Sequence, residues 1–231
     1  METHKLFHGE KDADTGILLV GCGGHCRSVL DSVLASCKYD NVGVTAKDKA
    51  EAALVGKDPV LAPYLVGSDD DLPRLFREGW RFAFVALGSV GSVKGRQAIA
   101  EKLRAIGFSI PVIADPTAVL ARSVRLEEGV FIGKLAVVNA GAQIGAFAIL
   151  NTACVVEHDC RIGVYSHVSP GAVLCGQVTV GDRSHVGAGS VVRQSIRIGD
   201  DVLIGAGSFV VKDLPDAVTA FGNPCRMVEN R

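Results

Sequence analysis

The stretch RIGVYS HVSPGA VLCGQV TVGDRS HVGAGS VVRQSI, residues 161–196, reads as six consecutive units of six residues. The second residue of each unit is aliphatic, and the same spacing runs from Leu120 to Val210 over sixteen positions that are all Ile, Leu or Val. The next residue is often Gly, and the side chain four residues after the aliphatic one is usually small. An internal repeat sustained over this length determines the fold.

A period of six predicts a short strand and a turn in each unit, with the aliphatic side chain inside. Three units then form a triangular coil, and residues 120–215 supply about five coils in a prism about 25 Å tall, at a strand spacing of roughly 4.8 Å. We expect the small side chain to lie inside near a corner and Gly to relieve backbone crowding at the bend. Val156 and Val186 should be fully buried.

The composition is typical of a soluble enzyme, and the length of the chain predicts two domains. The chain has 231 residues, 48% hydrophobic, and a net charge of −1, so there is no basic excess for nucleic acid. Residues 1–15 form a polar tail without an apolar signal region, and no later apolar run is long enough for a membrane span, so we expect a cytoplasmic protein. Seven cysteines without metal-type pairs predict reduced, structural thiols.

The first half of the chain predicts a small α/β domain over residues 16–114, with a parallel sheet like that of Rossmann folds. Strands are expected at residues 16–20, 42–45, 64–66, 82–87 and 110–113, and helices at 26–36, 72–78 and 95–106. Ser68 is expected to cap the second helix, ahead of three acidic residues. Asp115 precedes a proline and marks the start of the β-helix domain, residues 115–231.

The loop Gly21-Cys-Gly-Gly-His25 follows the first strand and opens the first helix. Its glycines match the first two of a dinucleotide-binding motif, but Cys26 stands at the third position and no acidic residue ends the second strand near Thr45, so NAD is not expected. Free backbone N–H groups at a helix N-terminus suit phosphate, which favours the diphosphate of a nucleotide sugar. The alternative is that the glycines only close a tight turn.

Together these features resemble the NeuD and PglD type of sugar acetyltransferase. The resemblance rests on the G-x-G-G-H loop, on Asn151–Asp159 within the repeats, and on the closing segment Phe221–Arg226, and it extends from Gly16 to Val228. It implies a left-handed parallel β-helix and transfer of an acetyl group from acetyl-CoA to an amino group on a nucleotide-activated deoxysugar, or to a hydroxyl of sialic acid. It also implies trimers with active sites between adjacent prisms.

His158 is the candidate general base, because an amine that attacks a thioester must lose a proton and imidazole accepts one near neutral pH. Glu157 and Asp159 flank it, and either could orient the ring; the resemblance assigns Asp159 this role. Gly176 lies one coil later and should stack on His158, where its N–H could stabilise the tetrahedral oxyanion. The alternative for Gly176 is a glycine needed only for the bend.

Two further histidines, His167 and His185, are one coil apart and should stack. The resemblance places His167 in the acetyl-CoA site, and we assign the repeat glycine Gly205 to the same site. His185 is expected at the surface. The spacings of 9 and 18 among the three histidines differ from the pair five residues apart in γ-type carbonic anhydrases, so no metal is expected.

The resemblance implies that His25 contacts the nucleotide sugar, together with the loop glycines Gly21, Gly23 and Gly24. An ordinary half-buried histidine is the alternative for His25. Relatives often carry an acidic pair after the second strand that helps to read the base. This chain has Thr-Ala-Lys-Asp there, and Asp48 is the candidate substitute.

These observations predict an N-acetyltransferase that acts on a nucleotide-linked amino-deoxysugar by direct transfer in a ternary complex. The alternative is O-acetylation of a sialic-acid-like sugar. A non-enzymatic scaffold is disfavoured, because an outward-facing His158 with acidic neighbours has no packing purpose. A closed acetyl-CoA pocket requires a neighbouring prism, so we expect a homotrimer.

Overall fold

A computed structural model describes residues 16–228 of the chain. The described residues divide into two compact units, one of residues 16–89 and 94–116, the other of residues 90–93 and 117–228. The predicted N-terminal tail, residues 1–15, lies outside the described residues. In the part of the chain that the structure covers, no helix is long and apolar enough to cross a membrane.

The first unit contains a four-stranded parallel sheet with helices between its strands. Its strands are β1 (Gly16–Val20), β2 (Asn41–Ala46), β3 (Leu65–Ser68) and β4 (Phe82–Val85), and its helices are α1 (Gly24–Ser36), α2 (Lys49–Val55), α3 (Leu72–Arg77) and α4 (Lys94–Ile106), with single 3-10 turns at Ala62–Tyr64 and Asp69–Asp71 and a two-residue strand, β5, at Ile113–Ala114. The sheet order is β3-β2-β1-β4, so the order reverses between β1 and β4. Ligands of open α/β sheets bind at such a switch point, beyond the carboxyl ends of the strands.

The local sequence predicts most of these elements, and the structure differs from the prediction at two of them. The predicted cap is confirmed, because the Ser68 backbone N–H and hydroxyl both donate to the Asp71 carboxylate, at 2.9 and 3.1 Å. The sequence prediction missed α2, whose Ala-rich residues show no apolar period and bury only Val55. The strand predicted at 110–113 shrinks to β5, which starts at Ile113.

The second unit is a stack of two-residue parallel strands. They are β6 (Val119–Leu120), β7 (Arg125–Leu126), β8 (Phe131–Ile132), β9 (Val137–Val138), β10 (Gln143–Ile144), β11 (Ile149–Leu150), β12 (Val155–Val156), β13 (Arg161–Ile162), β14 (His167–Val168), β15 (Val173–Leu174), β16 (Thr179–Val180), β17 (His185–Val186), β18 (Val191–Val192), β19 (Arg197–Ile198), β20 (Leu203–Ile204) and β21 (Phe209–Val210). Each strand pairs with the strand one coil away, as Val155 does with Val137 and Val173. This register confirms the predicted triangular coil.

The prism has three faces, which we name by their outward residues. The valine face holds β6, β9, β12, β15, β18 and β21; the arginine face holds β7, β10, β13, β16 and β19; the histidine face holds β8, β11, β14, β17 and β20. A terminal hairpin closes the carboxyl end, because β22 (Thr219–Phe221) pairs parallel with β20 and antiparallel with β23 (Arg226–Val228).

The predicted interior is confirmed. Val156 and Val186 are both 0% exposed, and the small position is equally buried at Ala136, Ala142, Ala148, Cys154, Cys160, Ser166, Ala172, Ser184, Ser190 and Ser208. Hydrophobic burial of this continuous column stabilises the stack, since each coil alone could not exclude water from both of its open sides.

The prediction that the repeat glycines relieve backbone crowding is confirmed, and they do so without adopting the left-handed conformation. The left-handed residues at the bends recur every six positions and most are not glycine: Gly129, Leu135, Gly141, Phe147, Ala153, Asp159, Tyr165, Gly171, Gln177, Arg183, Gly189, Ser195, Asp201 and Gly207. The repeat glycines lie instead where the next coil passes closely. A Cβ on Gly181 would lie 2.5 Å from the carbonyl carbon and oxygen of Gly199.

Candidate active site

His158 lies at the corner between the valine and arginine faces, two residues after β12. The next residue, Asp159, adopts a left-handed conformation (φ 59°) and places its Oδ2 2.9 Å from His158 Nδ1. Because a carboxylate only accepts hydrogen bonds, Nδ1 carries a proton, and in the neutral ring Nε2 is the nitrogen with the lone pair. Both side chains are exposed, at 57% and 61%. Glu157 lies 3.4 Å from the His158 backbone N, so Asp159 is the partner of the imidazole.

Two glycines one coil away make room for this pair. A Cβ on Gly176 would lie 2.5 Å from His158 Nε2, and a Cβ on Gly141 would lie 2.5 Å from Asp159 Oδ1. Among the described residues, the Gly176 N–H has no hydrogen-bond acceptor, so it is available beside the basic nitrogen. The spacing of the repeats had indicated Gly176, whereas sequence reasoning missed Gly141, whose signal was the same 18-residue offset from Asp159.

His167 and His185 lie on the histidine face and stack as predicted. Their strands pair in register, and the two rings meet edge to face with centroids 4.8 Å apart. The expected surface position of His185 is wrong, because its side chain is only 9% exposed. Burial lowers its pKa, and its Nε2 lies 3.1 Å from the Ser169 hydroxyl.

Asn151 fixes the tautomer of His167, a role that sequence reasoning missed. Its Oδ1 accepts from the Thr152 backbone N–H at 2.8 Å, which leaves its Nδ2 facing His167 Nε2 at 3.1 Å. Because an amide nitrogen only donates, His167 Nε2 accepts and the ring proton resides on Nδ1. The signal in the sequence was an Asn directly after a repeat strand.

A single prism does not bring His158 and His167 together. His158 occupies the corner opposite the histidine face, so the two rings point away from each other in a triangular cross-section. Gly205, which we predicted in the acetyl-CoA site, makes contacts within the stack. Its N–H donates to the Ala220 carbonyl at 2.9 Å, and a Cβ on it would lie 2.8 Å from the Cβ of Phe221.

The glycine loop of the first unit contains two kinds of glycine. Gly21 has a φ of 110°, donates to the Thr45 carbonyl at 3.1 Å, and would place a Cβ 2.7 Å from Leu87, so the fold requires it. A Cβ on Gly23 or Gly24 would meet nothing within 4 Å. The loop therefore leaves open space beside the N-terminus of α1.

His25, at the start of α1, lies at the switch point of the sheet. Burial and the nearby Arg96 charge lower its pKa to about 4, so the ring is neutral at physiological pH. Gly88, after β4, would place a Cβ 3.1 Å from that of His25. Arg96 itself is 4% exposed, and its amphipathic helix gave no sign of a buried charge.

Asp48 is a helix cap, since its Oδ1 accepts from the Glu51 backbone N–H at 2.9 Å. The buried acidic residue near the end of β2 is Asp69, which accepts from the Thr45 hydroxyl at 2.8 Å and whose pKa burial raises. Burial and a hydrogen bond with Glu51 raise the pKa of the Cys22 thiol to about 12, so this loop cysteine is protonated. Across residues 16–228, no three His, Cys, Asp or Glu side chains cluster closely enough to hold a metal ion.

Comparisons with known proteins agree with this architecture. Residues 16–103 match the PglD N-terminal domain, and residues 154–194 and 177–212 match the hexapeptide repeat of succinyl-transferase. No curated protein matches the chain. Among solved structures, PerB from Caulobacter crescentus, in complex with CoA and GDP-perosamine, is 38% identical with a TM-score of 0.83, over 94% of this chain and 99% of that one.

Two other structures extend the comparison. The acetyltransferase domain of PglB from Neisseria gonorrhoeae, in complex with acetyl coenzyme A, is 29% identical with a TM-score of 0.81, over 94% of this chain and 100% of that one. WeeI from Acinetobacter baumannii shares the fold at 23% identity and a TM-score of 0.80, over 93% of this chain and 100% of that one.

Fold and corner histidine together define a left-handed β-helix acyltransferase preceded by a small α/β domain. With the PglD-type first unit and a relative at 38% identity over nearly the whole chain, the protein belongs to the sugar acetyltransferases of the NeuD and PglD type. It is an enzyme of that family, an N-acetyltransferase of amino sugars with acetyl-CoA as cosubstrate.

Proposed function

We propose that this enzyme transfers the acetyl group of acetyl-CoA to the amino group of a nucleotide-linked amino-deoxysugar, with His158 as general base. The observation that carries the proposal is the orientation of His158. Asp159 holds Nδ1–H, and the basic Nε2 faces Gly176, whose N–H is available. A proton acceptor and an oxyanion donor thus stand side by side at one exposed corner.

In the proposed transfer of the acetyl group, the His158 imidazole and the Gly176 N–H have separate roles. The sugar amine attacks the thioester carbonyl carbon while His158 Nε2 takes the amine proton, and the Gly176 N–H stabilises the oxyanion. Asp159 stabilises the imidazolium that forms. When the tetrahedral intermediate collapses, the C–S bond breaks and the imidazolium returns its proton to the CoA sulfur, so that free CoA and the N-acetyl sugar leave.

The glycine loop supports a nucleotide-sugar site in the first unit. Gly23 and Gly24 leave the N-terminus of α1 open, where backbone N–H groups and the helix dipole favour a diphosphate. His25, neutral and beside this terminus, can donate a hydrogen bond without adding charge. Because the Asp48 carboxylate already caps α2, we leave it out of the proposed site. PerB binds GDP-perosamine, which makes this compound the first substrate to test.

The proposed assembly is a cyclic homotrimer with sites between prisms. His158 and His167 of one chain face opposite sides, so a site that contains both must draw them from two chains. The valine face supplies the contact surface, because its outward residues form a continuous apolar column of Val119, Val137, Val155, Val173, Val191 and Phe209. At its ends Val119 and Phe209 remain 60% and 38% exposed. Gly205 is not part of this proposal.

The activity is tested by thiol release from acetyl-CoA against GDP-perosamine, other nucleotide amino sugars, and a sialic-acid-type hydroxyl acceptor. We expect turnover of a nucleotide amino sugar, and a drop in kcat of about 10²- to 10⁴-fold in His158→Ala with little change in acetyl-CoA affinity. Asp159→Asn should cost less, because it disturbs orientation and keeps the base. Activity of His158→Ala within about threefold of the wild type would remove His158 from the mechanism, and turnover of the hydroxyl acceptor alone would favour O-acetylation.

The shared site is tested by co-expressing His158→Ala and His167→Ala chains with different tags. Hybrid trimers contain sites with both wild-type histidines, so they should exceed the summed activity of the two parents severalfold. A catalytically competent monomer near 24.2 kDa in light scattering would contradict the shared site and leave the β-helix untouched.

A further inference from the structure

The corner that carries His158 lies between two coils of different character. Parallel pairing aligns β9, β12 and β15, so the residues that follow each strand are stacked one coil apart. The later coil places Gly176 against the His158 ring. The earlier coil places residues 139–141 next to residues 157–159, and among these three only Asn139 has a side chain longer than a methyl group. We name residues 139–141 the Asn139 recess.

Asn139 combines a fixed backbone with a side-chain amide that the chain does not use. Its N–H donates to the Val156 carbonyl at 2.8 Å, and its carbonyl accepts from the Ala142 N–H at 3.3 Å. The side chain is half-buried and, among residues 16–228, has no hydrogen-bond partner. Glu157 follows one coil later, at a strand spacing of roughly 4.8 Å. A polar amide is therefore held beside the proposed base by its backbone alone.

Asn151 provides a comparison within the same stack. It also follows a repeat strand directly, and both ends of its amide are engaged. Its Oδ1 accepts from the Thr152 backbone N–H at 2.8 Å, and its Nδ2 faces His167 Nε2 at 3.1 Å. Asn139 makes neither kind of bond. Because partial burial of an unpaired amide costs free energy, a ligand that pairs with Asn139 gains a favourable contact.

We propose that Asn139 binds a hydroxyl of the acceptor sugar, the one next to the reacting amine, and so helps to determine which amino sugars are acetylated. The inference rests on the proposed function, which places the reaction at this corner. An amide has both a donor and an acceptor, and so does a sugar hydroxyl, so the two groups match. A site that hydrogen-bonds a hydroxyl discriminates against sugars that lack it.

The orientation of His158 leaves the Asn139 recess to the acceptor. Its Nε2 faces Gly176 in the later coil, where the proposed oxyanion donor lies, so the thioester occupies that side. The amine must reach Nε2, and the rest of the sugar then extends over the earlier coil. Ala140 is exposed there and, with Gly141, leaves this surface free of large side chains.

The test compares two acceptors that differ by one hydroxyl. They are GDP-perosamine, or the nucleotide amino sugar that is turned over best, and its analogue without the hydroxyl next to the amine. Asn139→Ala should raise KM for the complete sugar about fivefold to tenfold, with kcat within about threefold and KM for acetyl-CoA constant. KM for the deoxy analogue should be equal in variant and wild type, because the bond that the substitution removes is already absent.

Gln143→Ala is the matched control. It also removes an amide, four residues along the chain, but from the arginine face, so it should change KM for neither acceptor. An equal rise for both acceptors in Asn139→Ala would overturn the proposal, since it would reveal damage to the site or to the assembly. An unchanged KM for the complete sugar would also overturn it.

Direct binding separates this inference from the proposed function. Calorimetry with GDP-perosamine and its deoxy analogue needs no acetyl-CoA and no turnover. A loss of affinity in Asn139→Ala that is absent for the analogue supports the inference even if His158→Ala stays active. Equal affinity of variant and wild type overturns it even if His158→Ala is inactive. A wild-type protein that binds no nucleotide amino sugar would reject both.

Discussion

The glycines of the first-unit loop and those of the β-helix stack differ in what surrounds them. In the stack, a Cβ on Gly163 or Gly181 would lie 2.5 Å from backbone atoms of the next coil. In the loop, a Cβ on Gly23 or Gly24 would meet nothing within 4 Å. The stack glycines are therefore required by the fold. Gly23 and Gly24 have no such contact in the described chain, so the fold does not require them to be glycine, and the proposed sugar-nucleotide site gives them a role.

Gly176 represents a third situation within the stack. The atoms nearest to a Cβ on Gly176 would belong to the exposed ring of His158 and not to the backbone. A flexible side chain can move aside at little cost to stability, so what requires this glycine is the position of the His158 ring, the general base of the proposed function. Glycine thus allows close stacking of coils at Gly163 and Gly181, leaves open space beside a helix N-terminus at Gly23 and Gly24, and makes room for a side chain at Gly176. Substitutions distinguish these three situations.

Among the glycine substitutions, the largest expected effect belongs to Gly176→Ala. The added methyl group must displace His158 Nε2, so kcat should fall about 10²- to 10³-fold, equivalent to about 3–4 kcal/mol of transition-state stabilisation. Thermal unfolding should change little. Thr179→Ala, in the same coil on the arginine face, is the control and should keep full activity. Loss of stability without loss of turnover would place Gly176 among the stacking glycines.

Next in size is Gly181→Ala, a substitution in the crowded column. A methyl group against the Gly199 backbone should lower the free energy of unfolding by about 2–3 kcal/mol, because neither coil can move without breaking the ladder. Gly189→Ala is the matched control: its φ is 64° but nothing lies within 4 Å, so it should cost about 1 kcal/mol. Denaturant titration measures both, and equal costs would contradict the crowding argument.

Acid should destabilise the first unit through His25. Its pKa is lowered to about 4, so between that pH and the ordinary value of 6.5 the unfolded chain binds a proton that the folded chain does not. Stability therefore rises with pH across this window, and a change from pH 7 to pH 5 should cost about 2 kcal/mol.

The variant His25→Gln removes this titration, so its melting temperature should fall less between pH 7 and pH 5 than that of the wild type. His185, in the β-helix, also has a lowered pKa and retains its contribution in the variant, so some acid sensitivity should remain. Identical pH profiles of the two proteins would show that His25 titrates normally in the folded state.

Gly23→Ala should affect binding and leave the fold intact. The open surroundings predict a change in unfolding free energy of less than about 0.5 kcal/mol. If the loop holds the sugar nucleotide, KM for the sugar should rise about tenfold, or about 1.4 kcal/mol, while KM for acetyl-CoA stays constant. A parallel rise in both constants would indicate a distorted protein. A larger side chain, in Gly23→Val, should strengthen the effect on the sugar alone.

The smallest expected effect is a gain in stability. Leu135 is 62% exposed and has a φ of 57°, a conformation that Asn tolerates better than Leu. Leu135→Asn should therefore raise the free energy of unfolding by about 0.5 kcal/mol without changing activity. Denaturant titration at constant ionic strength is precise enough to detect this, and a loss of stability would show that the Leu135 side chain packs in the assembled enzyme.

The repeat could be predicted from the sequence because each coil presents the same surroundings to the same position. For this reason the burial of Val156 and the stacking of His167 on His185 could be predicted. The left-handed positions could not be predicted, because residues as different as Leu135 and Ser195 adopt this conformation once neighbouring coils fix the backbone. Sequence composition does not record this constraint.

Positions whose surroundings come from distant segments were the least predictable. The sequence predicted that His185 pairs with His167 on a neighbouring strand. It did not predict which residues cover an outward-facing side chain, and His185 is buried in the structure. Arg96 shows the same limit, because a helix pattern alone assigns a cation to solvent. At the corner, spacing alone placed Gly176 on His158. The residues alone left Glu157 and Asp159 open as the partner, the family resemblance favoured Asp159, and the left-handed bend at Asp159 gives the physical reason.

The terminal hairpin has a consequence for self-association. A parallel stack that ended at β20 would expose unpaired N–H and C=O groups, which is the template on which strands of other molecules add to form fibrils. Because β23 runs antiparallel to β22, the last edge is a short strand of reversed direction that begins at Arg226, and a further coil cannot dock on it in register. Loss of this hairpin should therefore turn a discrete enzyme into a polymerising one.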